Sequence, residues 1–109
     1  MSHADEAARA AERVARESYG RLVAFLAART RDLAGAEDAL SEAFAAALRM
    51  WPSDGVPDNP DAWLLTVARR RQTDSIRRRQ TRTAGERHLT LIADELEAAA
   101  AEGDIIPDR

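Results

Sequence analysis

Residues 51–82 read WPSDGVPDNPDAWLLTVARRRQTDSIRRRQTR, a proline-punctuated loop that runs into a helix start and then into two arginine triplets. Asn59-Pro60-Asp61 is the start signal: Asn suits the cap, and Pro suits the first helical position, where its missing N–H costs nothing. The pattern predicts a helix from residue 60 to about 82. At about 100° per residue, Leu65, Ala68, Gln72 and Ile76 fall in one sector with Leu64 beside it, which predicts a core face. Trp63, Val67, Arg70, Arg71, Asp74, Arg77, Arg78 and Arg82 fall in a broad sector roughly opposite. Asp74 lies one turn from the arginine pairs on either side and is placed to hold them in fixed rotamers.

The basicity is local. Residues 62–88 carry eight Arg against Asp74 and Glu86, a net of +6, whereas residues 1–61 carry −4 and residues 89–109 carry −5, which together make the chain's −3. A single-signed run on an otherwise acidic chain points to a polyanion, bound with steep salt dependence. Composition narrows the rest. A chain of 109 residues is one small domain, and with no Cys it has neither disulfides nor thiolate metal sites. His3 and His88 stand apart with no ligand spacing around them and read as ordinary surface or partly buried residues. No apolar run approaches the roughly 20 residues of a membrane span, and the amino terminus lacks the apolar core of a signal peptide, so a cytoplasmic protein is expected.

Upstream, Ala, Leu, Glu and Arg dominate and no alternating β-branched run occurs, which predicts an all-α fold, a compact domain of three to four helices. A first amphipathic helix is expected from about residue 5 to 31, with Val14, Leu22, Phe25 and Leu26 on its apolar side. Gly20 inside it suggests the close approach of a neighbouring helix. Asp32 can cap a second helix whose apolar stripe is Ala36, Leu40, Ala43, Phe44, Ala47, Leu48 and Trp51. Asp38 and Glu42, four apart, form a strip of like charge that suits a basic partner, although it equally suits mere solvation. Pro52 is expected to end this helix, leaving a loop with Asp54-Gly55 as its turn and Pro57 and Pro60 as stiffeners. Past Thr83, Gly85 permits a break, and Leu89, Ile92 and Leu96 suggest a last helix ending at Gly103. Ile105 and Ile106 beyond it suggest a piece of something longer. No phosphate-binding Gly-rich loop, nucleophile with a base, or carboxylate/His metal motif occurs, so no enzyme, cofactor or metal is expected.

AEDALSEAF (residues 36–44), the Trp-Pro loop and NPDAWLLTVARRRQTDSIRRR (residues 59–79) together resemble conserved region 2 of bacterial sigma factors of the extracytoplasmic-function type, within the sigma-70 family. The matching positions are Ala36, Glu37, Asp38, Glu42 and Phe44, then Ala62, Trp63, Leu64, Ala68, Arg69, Asp74, Arg77 and Arg78. The loop and helix start also resemble the subgroup with a long carboxyl-terminal extension. The resemblance covers about residues 10 to 85, and two motifs in the right order and separation make it specific.

The resemblance implies a transcription initiation factor domain, residues 1–84, followed by the helical start of an interdomain linker, residues 85–109. The acidic helix would dock on the β′ clamp helices of RNA polymerase core through Asp38, Ser41 and Glu42. The loop and third helix would recognise and melt the promoter −10 element, holding the non-template strand single-stranded. Arg69, Arg70, Arg71, Arg77, Arg78 and Trp63 would contact DNA, with Trp51, Asp54, Gly55 and Asn59 in a base-capturing loop. Two departures matter: Ser41 stands where Gln is usual, and Arg70 where Asn is common. An anti-sigma protein or a carboxyl-terminal regulatory domain is a further expected partner. The residues leave two other readings open, a generic basic-helix nucleic-acid binder and an interaction module for an inhibitory protein.

Overall fold

Ser2 opens the first helix, α1 (His3–Thr30), through a reciprocal cap: its hydroxyl accepts from the Asp5 amide at 3.1 Å, and its own amide donates to the Asp5 carboxylate at 3.4 Å. The helix ends on Arg31, which adopts the left-handed conformation with φ 56° and donates its amide to the Ala27 carbonyl. The computed structural model describes the backbone of residues 2–100 and the side chains of residues 2–89 and 91–93. Asp32 caps the second helix, α2 (Leu33–Asp54), by accepting from the Gly35 amide at 2.9 Å. A Cβ at Gly35 would collide with that capping carboxylate, so the glycine makes room for the cap.

Pro52 does not end α2. The helix continues to Asp54, and the stop is Gly55, with φ 89° and its amide bonded to the Trp51 carbonyl at 2.8 Å. A proline in the last turn removes only one intrahelical hydrogen bond, and continuing the helix keeps Trp51 in register with Leu40, Ala43 and Ala47, all buried. The third helix, α3 (Pro60–Ala100), opens as expected, with the Asn59 side chain accepting from the Ala62 amide at 3.1 Å. It then runs unbroken through Gly85, where a break was expected. A lone glycine costs a helix about 1 kcal/mol against Ala, a penalty the good helix formers around it outweigh. The expected helix end at Gly103 and the pair Ile105 and Ile106 lie outside the described residues.

The chain divides into two compact units, residues 1–74 and 75–109. The core of the first is all-α and unusually fine-grained. Trp51, Leu26, Leu40 and Leu64 are its largest fully buried side chains. Each of the three leucines contributes roughly 1.5 to 3 kcal/mol by leaving water. Among the described residues, nine of the sixteen buried apolar side chains are alanines: three in α1, five in α2 and Ala68 in α3. Larger groups sit at the seams, as where Tyr19 stacks on Phe44 with ring centres 6.4 Å apart. Gln72, 7% exposed, donates to the Leu26 carbonyl at 3.0 Å and ties α3 to the α1 backbone.

The face assignments need four corrections. Leu64 rather than Leu65 is the fully buried residue at the start of α3, and Leu65 is partly buried. Leu48, expected in the apolar stripe of α2, is 50% exposed. Phe25 is 45% exposed and is covered instead by the guanidinium of Arg69, 5.0 Å above its ring. Gly20 is exposed with open space beside it, so no neighbouring helix makes a close approach there.

Candidate nucleic-acid interface

On α2, Glu42, Ala46 and Arg49 follow one another at i, i+4 and i+7, so they form a strip along one side of the helix. On α3, Trp63, Val67, Arg70 and Asp74 do the same. Within the first unit these two strips meet and leave a groove between them of about 330 Å³, lined by Ala46, Arg49, Met50, Trp63, Val67, Arg70, Arg71 and Asp74. Its lining sets apolar side chains beside three guanidinium groups and one carboxylate. Such a surface offers flat apolar contact and cationic hydrogen-bond donors side by side, the combination that single-stranded nucleic acid uses.

The arginines expected to act together are in fact divided. Arg70 and Arg71 line the groove, and Arg71 also reaches back to Glu42, with Nε 3.8 Å from Oε2. Both partners of that pair are substantially exposed, so it contributes at most about 1 kcal/mol. Arg69 points elsewhere and lies over Phe25 of α1. Arg77 and Arg78 are exposed on the part of α3 that belongs to the second unit. The expected ordering of the arginines by Asp74 is not seen. Among the described residues, the ion pair on this face joins Arg71 to Glu42, and none joins Arg70 or Arg71 to Asp74.

Trp63 is half-buried, and its ring meets the Trp51 ring edge-on, with centres 5.3 Å apart and planes at 67°. Trp51, expected in the loop, is the last large side chain of the core at 2% exposure. It therefore stands behind Trp63 as support. Asp54 closes α2, Gly55 caps it, and Asn59 is engaged as the cap of α3, so the connection itself is the short span 55–59. Asp38, Ser41 and Glu42 are all exposed on α2, available to a partner.

Four contributors stand outside the motifs of the sequence. Arg49 and Met50 line the groove, and Arg49 was findable by extending the Glu42 strip by two turns. Ser18 and Arg21 of α1 both bond to Asp61 in the first turn of α3, a contact between residues 40 and 43 positions apart that no local pattern announces.

Among the described residues, no helix is long and apolar enough to cross a membrane. Comparison with known proteins places the chain. An uncharacterized protein of Rhizobium meliloti (strain 1021) is 36% identical over 85 residues, which cover 70% of this chain and 20% of the relative, so this chain spans about a fifth of that protein. No solved structure matches. The family described as Sigma-70 region 2 matches residues 14–82, a span that takes in most of α1, all of α2 and the groove-lining part of α3. On that match the chain belongs to the sigma-70 family: it carries region 2, a non-enzymatic domain of transcription initiation factors.

Proposed function

We propose that this domain, residues 1–84, docks on the β′ clamp helices of RNA polymerase core through Asp38, Ser41 and Glu42 and holds the non-template strand of the promoter −10 element as single-stranded DNA. The observation that carries the reading is the groove between α2 and α3, where Trp63 and Met50 supply apolar contact and Arg49, Arg70 and Arg71 supply positive charge. Its rim adjoins the acidic strip at Glu42, so polymerase and DNA would be engaged on neighbouring surfaces. Arg77 and Arg78 extend the cationic run along α3, where each phosphate neutralised adds salt-dependent affinity. The factor is of the extracytoplasmic-function type, in the subgroup with a long carboxyl-terminal extension. Residues 85–109 begin the interdomain linker, the protein acts in the cytoplasm, and an anti-sigma protein or the extension regulates it.

The test is a pair of reversals read on two ligands. Asp38→Arg with Glu42→Arg weakens binding to a β′ clamp-helix fragment, and Arg77→Glu with Arg78→Glu weakens binding to single-stranded DNA. Unchanged β′ affinity in the first variant removes the docking assignment. Equal affinity of the unaltered domain for single strand and duplex favours a generic basic-helix binder instead.

A further inference from the structure

The connection 55–59 carries the turn between the two helices that form the groove, and it is pinned at both ends by different means. At its start, Gly55 bonds back to the carbonyl of Trp51, whose side chain is locked in the core. At its end, the link is polar and long-range. Ser18 of α1, 6% exposed, donates its hydroxyl to Asp61 Oδ2 at 2.8 Å. Arg21 Nη2 donates both to the Ser18 hydroxyl at 3.1 Å and to the same Asp61 oxygen at 3.2 Å. The three groups close a ring of hydrogen bonds between α1 and the first turn of α3.

Asp61 has an ordinary explanation, since a carboxylate in the first turn of a helix is favoured by the macrodipole. Its contacts say more than that. Asn59 already caps α3 through the Ala62 amide, and Asp61 turns its oxygen away to Ser18 and Arg21. A carboxylate two residues before Trp63 is also a liability in a domain that binds a polyanion, because it repels phosphate. The geometry points to Asp61 as a positioning residue: locked by Ser18 and Arg21, it fixes the start of α3, and with it the connection 55–59 and Trp63, in the arrangement that receives single-stranded DNA. The inference rests on the DNA-binding reading above.

The two roles predict opposite signs. If Asp61 is only a surface anion, removing its charge tightens DNA binding. If it positions the groove, removing it weakens DNA binding although a repulsive charge is lost. The experiment compares the unaltered domain with Asp61→Ala, Asp61→Asn and Ser18→Ala. Each is titrated with a fluorescein-labelled single strand of mixed sequence and about 20 nucleotides and, separately, with a β′ clamp-helix fragment. Loss of hydrogen bonds to a charged group predicts a weakening of about 5- to 10-fold in single-strand affinity for Asp61→Ala. Asp61→Asn, which keeps an acceptor for the Ser18 hydroxyl, recovers part of that loss. Ser18→Ala, a smaller lesion that folds more surely, weakens binding about 2- to 3-fold. Affinity for the β′ fragment stays within about twofold in all three, since α2 keeps its own cap and core.

Single-strand affinity that is unchanged or tighter in Asp61→Ala overturns the inference, as does an equal loss on both ligands, which marks general unfolding. Failure of the unaltered domain to prefer single strand overturns the DNA-binding reading itself, a result distinct from either.

Discussion

Trp51 is the largest side chain of the core, and its own indole nitrogen is buried and, among the described residues, without a hydrogen-bond partner. The two facts act in opposite directions on stability. Truncating the ring to Ala forfeits its burial and leaves a cavity, costing about 3 to 5 kcal/mol. Replacing it with Phe loses part of the ring but also removes the unsatisfied donor, whose burial costs about 1 to 3 kcal/mol. We expect Trp51→Phe to lie within about 1 kcal/mol of the unaltered protein in urea unfolding, far from Trp51→Ala. A Phe variant as unstable as the Ala variant would mean that the nitrogen is bonded in solution. At this scale the sequence was partly legible. Its period puts Trp51 on the apolar stripe of α2, whereas Pro52 reads as a stop and would put it in the loop. Arg69 looked identical to its two neighbours, and only the fold could show that Phe25 of α1 lies under it.

The elements were legible wherever a cap or a period fixed them. Asp32, Asn59 and Pro60 act as read, and α2 and the first turns of α3 follow their 3.6-residue periods. Glycine and proline misled because their effect depends on what surrounds them. Gly20 suggests close packing and Gly85 permits a break, but both sit inside continuous helices with open space where a Cβ would go. Neither has a positive φ. Both are therefore pure cost, and Gly20→Ala and Gly85→Ala should each strengthen their helix by about 0.5 to 1 kcal/mol. Gly20→Ala is read by global unfolding and Gly85→Ala by helical circular dichroism on heating. A destabilised Gly20→Ala would place a neighbour against α1 after all. The Ser18–Arg21–Asp61 link stayed invisible for the converse reason: nothing in its local sequence distinguishes it from an ordinary charged helix face.

For the molecule as a whole, the charge distribution makes the most direct physical prediction. Single-stranded DNA binding releases counterions, so the logarithm of affinity falls with the logarithm of salt concentration by about 0.7 for each phosphate neutralised. Arg77→Ala and Arg78→Ala should each flatten that slope by about 0.7. Arg69→Ala should leave it unchanged, since its guanidinium covers Phe25. Three equal reductions would show that the two arginine triplets act as one undivided patch. The family was legible because its two motifs lie in the order and separation the fold requires, one on each of the two helices that form the groove. The groove itself was not, because it exists only once α2 and α3 are side by side.

The alanines of the core carry a consequence of another kind. A helix pair spaced by methyl groups has no slack, so Ala43 or Ala47 can neither grow without forcing the helices apart nor acquire a polar atom without burying it. Apart from glycine, every amino acid one nucleotide away from an alanine codon is larger, and most of them are polar. Point mutation therefore has almost no neutral exit from these nine positions. For the fold, substitution is therefore costliest at its smallest and chemically plainest residues, and the exposed arginines can change with little effect on stability.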